Sequence, residues 1–268
     1  MKRTNNSNRG VTLVEIAIVL VIIGLLLGGI LKGQELINNA KVRAIADRQN
    51  SLKVSWFAFV DRYQALPADY VRARQNVPGA GDNIALGAKG VGAGDGLILE
   101  GESPIALQNM TGAGYLRCPQ CTENTGKLVA PTATNSLQNQ YGGVMAIFVD
   151  GGGLAKANTG GSDTDTYAFD VGTSAVRTPR LMVHTGPNIP SNIIAEVDRK
   201  LDDGQPQNGD FRASDYTPVG LSPVVGCLDL TADNGTQDAT DYDSLTAVST
   251  WRDANAPPEA NCGGAVII

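Results

Sequence analysis

From Ile16 to Leu31 the chain runs for sixteen residues without a polar side chain. With Val11–Val14 ahead of it the stretch reaches about 20 residues, the length a helix needs to cross a hydrocarbon layer. One carboxylate, Glu15, sits inside it. A charge near the middle of a bilayer costs at least about 2.5–3.5 kcal/mol, so an acid there marks a function and requires a partner. Lys2, Arg3 and Arg9 precede the stretch with no acid among them. That asymmetry keeps the start of the chain cytoplasmic and carries the remainder across the membrane.

A secretory signal peptide also joins a charged start to an apolar core, but it ends in a small-residue cleavage site beyond the core. Gly28-Gly29 matches that pattern weakly. In Arg9-Gly10-Val11-Thr12-Leu13-Val14-Glu15 the glycine comes before the core and the glutamate is fifth after it. This arrangement resembles the class III signal of type IV pilins and their relatives. The resemblance implies a prepilin peptidase cut between Gly10 and Val11, methylation of the new Val11 N-terminus, and an assembly role for Glu15. Val11 stands where phenylalanine is commoner in the family, while Gly24 fits it. The freed amine would lie one helical turn before Glu15, and in a bundle of apolar helices the carboxylate can neutralise the amine of its own or a neighbouring chain. An unpaired charge is strongly disfavoured there, so the pair would set the axial register. Many relatives carry a helix-loosening proline further on. Lys32 occupies that region here, and Gly28, Gly29 and Gly33 are expected to weaken the helix instead, at about 0.5–1 kcal/mol each.

Beyond the apolar stretch, Ile45, Gln49, Leu52, Trp56, Phe59 and Tyr63 follow a 4-3-4-3-4 spacing. That spacing predicts an amphipathic helix with this stripe against a globular head. Lys41, Arg43, Asp47, Arg48 and Lys53 fall between, as a solvated face. Leu66-Pro67 is expected to end the helix, because proline disfavours helix in the residue before it. The chain therefore divides into a leader (1–10), a long helix (11–63, transmembrane over about 11–31) and a periplasmic or extracellular head (64–268).

In the head, short β-rich runs bounded by Gly, Asn, Asp and Pro predict strands at Gly143–Asp150, Thr166–Val171, Arg180–His184, Val224–Leu230 and Ala265–Ile268. One further helix, Ser191 to Leu201, has Ile193, Val197 and Leu201 on one face, closed by Asp202-Asp203-Gly204. Strands and helices do not alternate. An α+β fold follows, with an antiparallel sheet packed on the long N-terminal helix, as in pilins. The cysteines, Cys118, Cys121, Cys227 and Cys262, are even in number and all lie downstream of the apolar stretch. Outside the cytoplasm they would oxidise to disulfides. Three connectivities exist; proximity along the chain favours Cys118–Cys121 with Cys227–Cys262. The second pair resembles the disulfide-bounded loop of many type IV pilins. Leu66-Pro67-Ala68-Asp69, Gly94-Asp95-Gly96-Leu97-Ile98 and Asp198-Arg199-Lys200-Leu201-Asp202-Asp203-Gly204 resemble, less specifically, large prepilin-like proteins of Gram-negative bacteria.

Other chemistry finds little support. Net charge is −6, and losing the three leader cations would make it −9, the opposite of the basic face a nucleic-acid binder presents. His184 is the sole histidine, which excludes zincin motifs. It has no Gly-x-Ser-x-Gly elbow to work with. Cys118-Pro119-Gln120-Cys121 has redox spacing without the βαβ setting of a thioredoxin, and a zinc ribbon would need a second close cysteine pair. The acids Asp95, Glu100 and Glu102, and Asp229, Asp233, Asp238, Asp241 and Asp243, lack EF-hand spacing and read as solvated turns. The glycine run Gly87–Gly96 lacks the Gly-Lys-Ser/Thr ending of a phosphate loop.

The expectation is thus a non-enzymatic filament subunit without cofactor or metal. Its partners would be copies of itself or co-assembling pilins, prepilin peptidase and an inner-membrane assembly platform. It would be a single-pass inner-membrane protein before assembly, then part of a surface pilus, in a Gram-negative bacterium. The alternatives are a periplasmic pseudopilin of type II secretion and an uncut, membrane-anchored periplasmic domain.

Overall fold

The computed structural model describes residues 13–80, 94, 96–121, 129–150, 180–206, 209–214, 216, 227–229, 250–251 and 261–268. It has a long helix followed by an α+β head. Helix α1 spans Leu13–Tyr63. It runs unbroken through Gly28, Gly29 and Gly33, so the expected weak point is not a break. Straight-chain and aliphatic residues propagate helix well enough to carry these glycines. The chain forms two compact units, one ending at Lys41 and the other beginning at Val42.

Within the second unit, the buried stripe of α1 is Val42, Ile45, Gln49, Leu52, Trp56 and Phe59. The predicted periodicity therefore reports burial, with Tyr63 half-buried at its end. α1 stops at Tyr63, three residues before Leu66. The chain turns at Gln64 (φ 50°) and Ala68 (φ 71°), left-handed conformations unusual outside glycine.

The cationic face departs from expectation. Arg48 and Lys53 are part-buried and donate to the carbonyls of Gln138 (3.1 Å) and Ile267 (3.2 Å). Their charged heads satisfy main-chain acceptors instead of water. Ser55 likewise donates to the Tyr115 carbonyl at 2.8 Å.

The head holds a four-stranded antiparallel sheet of order β1-β2-β6-β3, comprising Ala146–Asp150, Arg180–His184, Gly264–Ile267 and Phe211–Ala213. A separate antiparallel pair joins β4 (Leu228–Asp229) to β5 (Thr250–Trp251). Thr166–Val171 lies outside the described residues. Helix α4 occupies Ser191–Leu201 as its periodicity predicts. Two helices of the head escaped that reading: short α2 (Ala73–Asn76) and α3 (Ser103–Gly112). All but the last two residues of α3 are buried, so it shows no polar face for a period to reveal. Strand β3 and the residues of β5 were missed for their brevity.

Among the described residues two large apolar clusters fill this unit, with a small third of Met182 and Ala265. One joins Leu52, Trp56 and Phe59 of α1 to α3 and to Ile147 and Phe148 of β1. The other joins Val42 and Ile45 to Ile193, Ile194 and Val197 of α4, Phe211 of β3 and Trp251 of β5.

Candidate functional site

The features with chemical content fall in two places, the apolar segment and the head. Glu15 lies in the first turn of α1, and the described residues from Leu13 to Lys32 are exposed. No part of the apolar span is buried within the molecule, so its surface is available to lipid or to other helices. A Cβ built on Gly24, Gly28, Gly29 or Gly33 would meet nothing within 4 Å. Among the described residues these glycines therefore have no packing partner within the chain. Lys32 pairs with Glu35 at 2.6 Å, both exposed, an arrangement worth only a few tenths of a kcal/mol. Gly10 and Val11 lie outside the described residues.

In the head, disulfides link Cys118 with Cys121 and Cys227 with Cys262, and no described cysteine is free. The first pair belongs to the α1–α3 cluster and the second to the α1–α4 cluster. Each is packed among apolar side chains rather than presented at a surface.

His184 is wholly buried in β2, stacked on Phe148 with ring centroids 4.2 Å apart. Its Nδ1 lies 2.9 Å from Ser214 Oγ. Burial pushes its pKa down to about 3, so it is neutral. A serine beside a histidine invites comparison with a hydrolytic pair. Both side chains are sealed in the interior, and the pair is a packed hydrogen bond with no approach for a substrate.

The acids divide unexpectedly. Glu102, expected in a solvated turn, is buried and accepts the Leu99 N–H at 2.8 Å. It caps the short 3-10 turn Glu100–Glu102 that leads into α3. Asp69 accepts the N–H groups of Gly94 and Gly96, the latter at 3.0 Å. Two of the motifs noted in the sequence are thereby joined. A third arrangement lies in the Asp198–Gly204 stretch, where the contact with Trp251 has no counterpart among the sequence expectations. Asp198 of α4 is completely buried and accepts the Trp251 indole N–H at 2.6 Å and the Gly204 N–H at 3.3 Å. One carboxylate oxygen from each of Asp198, Asp202 and Asp203 lies within 4.8 Å of the others. Burial pushes the Asp198 pKa up to about 6, reinforced by Asp203 and Asp202 and opposed by the hydrogen bonds from Trp251 and Gly204. A charged residue at an interior helix position reads as surface in a sequence. Only its i+4 relation to Asp202 and the following Asp-Gly could have drawn notice.

Comparison with known proteins bears on the apolar segment alone. Neither the curated proteins nor the solved structures give a match to this chain. Residues 5–31 match the family model described as the prokaryotic N-terminal methylation motif. That segment holds Gly10, Val11, Glu15 and the apolar run, and through it the chain carries the class III signal of type IV pilins.

Proposed function

We propose that the chain is a structural subunit of a type IV pilus or pilin-like filament. Prepilin peptidase removes residues 1–10, and the chain then polymerises through its N-terminal helix. The observation that carries the reading is Glu15, fixed five residues beyond Gly10 within the methylation motif and at the start of an apolar span with no buried residue. Cleavage turns Val11 into a cationic N-terminus one turn from that carboxylate. In the membrane the span anchors the subunit with its head outside. In the filament the apolar helices pack against one another, and the Glu15 carboxylate meets the Val11 amine of its own or an adjacent copy, fixing the stagger between subunits. Methylation of Val11 leaves this cation in place. The two disulfides and the large head, residues 64–268, favour a pilus over a periplasmic pseudopilus.

Mass spectrometry of the mature protein is expected to find a chain beginning at Val11. Retention of Met1 would mean an anchored monomer instead. Glu15→Ala is expected to leave membrane insertion intact and to remove the chain from sheared surface fibres. Normal fibres from that variant would defeat the pairing mechanism, and absence of the wild-type chain from long external fibres would favour the pseudopilus.

A further inference from the structure

Three exposed arginines, Arg62, Arg72 and Arg117, stand around the end of the head where α1 stops. Arg62 lies in the last turn of α1. Its Cζ is 5.7 Å from the ring centroid of Tyr63, and the phenols of Tyr115 and Tyr63 lie beside its guanidinium. The ring quadrupole attracts a cation held over its face. Tyr63 packs on Tyr70 at 5.7 Å and on fully buried Phe59 at 4.5 Å, which roots the group in the core. Arg72 follows Tyr70 by two positions and Arg117 follows Tyr115 by two, so each backbone lies within about 7 Å of that of a tyrosine.

These cations are not used within the chain. Among the described residues none of the three enters an ion pair. Elsewhere Arg48 and Lys53 go to main-chain carbonyls, Arg199 to Glu196 and Lys32 to Glu35. Among the described residues two acids flank the group. Asp69 gives its carboxylate to the Gly94 and Gly96 N–H groups, and Asp61 is exposed. Arg74, exposed on α2, adds a further cation to the same stretch. The result is a local excess of positive charge on a chain that carries −9 beyond Gly10.

We propose that this arginine–tyrosine surface is a docking site for the carboxylates of a second copy of this chain. A guanidinium is a flat, permanently charged fork that takes a carboxylate through two parallel N–H bonds. Arginine and tyrosine are also the side chains that most often carry the binding energy of protein interfaces. Here Arg62 and Tyr63 are already stacked before a partner arrives, which lowers the cost of ordering them. Each copy presents acid in excess, so a neighbour of the same kind supplies the opposite charge. Two such surfaces facing each other would bring like charges together. The contact is therefore heterologous, the arginines of one copy against acids elsewhere on the next. A heterologous contact that does not close builds an open row. It involves the head alone, and adds to the filament reading without resting on cleavage at Gly10 or on Glu15.

The test uses the full chain in uncharged detergent micelles, which cover the apolar span, and follows self-association by sedimentation velocity. Charges act over about 30 Å at about 10 mM salt and over about 8 Å at about 150 mM. The wild type is expected to associate at the lower salt and to weaken at least about tenfold at the higher. At the lower salt Arg72→Glu/Arg117→Glu should weaken association at least about tenfold. Arg43→Glu/Lys200→Glu makes the same change in net charge at exposed positions outside the surface, and should weaken it less than about threefold. A wild type that stays monomeric, association indifferent to salt, or equal losses in the two double variants overturns the contact. If the monomeric wild type binds a single-stranded DNA oligonucleotide that Arg72→Glu/Arg117→Glu does not, the surface belongs to nucleic acid instead. Should that variant fail to fold by circular dichroism, Arg72→Gln/Arg117→Gln decides. It must weaken association, and an unchanged constant overturns the proposal. The mass of the mature chain and the fibres of Glu15→Ala report on the N-terminal pairing separately.

Discussion

His184 shows what one buried titratable side chain does to a fold. It is neutral in the native state, whereas in an unfolded chain it would take a proton near pH 6.5. The folded pKa is lowered, so its contribution is fully present above about pH 6.5 and drains away as the solution is acidified towards 3. The rate of loss is about 1.4 kcal/mol per pH unit. His184→Gln should lower stability at pH 7 by about 1–3 kcal/mol through the lost Phe148 stacking and altered hydrogen bonding to Ser214. Urea unfolding at pH 7, 6 and 5 should then show the wild-type and variant curves converging as pH falls. Parallel curves would mean that the imidazole takes up its proton alike in the folded and the unfolded chain. Asp198 has the opposite sign, since its folded pKa is raised and it favours the fold on acidification from pH 6.

Among the elements, α1 carries a buried and an exposed surface on opposite sides of the same turn. Leu52 is fully buried and Val54, two residues on, is 67 % exposed. Leu52→Ala should cost about 2–5 kcal/mol by emptying a packed site. Val54→Ala should fall within about 0.5 kcal/mol of wild type. Thermal unfolding of the two variants checks the orientation of the helix without reference to assembly. α1 was legible because its buried stripe alternates with polar positions over many turns, and α4 for the same reason. In α3 every residue from Ser103 to Met110 is buried, including Gln108 and Asn109, so composition rather than period would have had to disclose it. Pro104 at its first turn was the available sign. Arg48 and Lys53 misled because a cation on a helix reads as solvated, while the main-chain carbonyls that receive it come from residues 90 and 214 positions away. The apolar segment was evident in the sequence, since its meaning lies in local order. The contact between Asp198 and Trp251 was not, the two being 53 residues apart and joined only by the tertiary fold.

At the scale of the molecule, the two disulfides differ in what they restrain. The Cys227–Cys262 bond spans 35 positions and the Cys118–Cys121 bond three. In the chain-entropy model these correspond to about 4 and about 2 kcal/mol. Paired Cys→Ala variants should melt in that order, the 227/262 pair being the more damaging. The reverse order in calorimetry would show that packing around Cys118 and Cys121 outweighs loop closure. All four cysteines are at most 1 % exposed, and this fixes a sequence of events in biogenesis. Electrons must leave the sulfur atoms while the polypeptide is still open, because the folded chain keeps all four sulfurs from contact with an oxidant or a reductant. A head that matures where oxidation is slow would close over thiols, and rescue would then require it to unfold first.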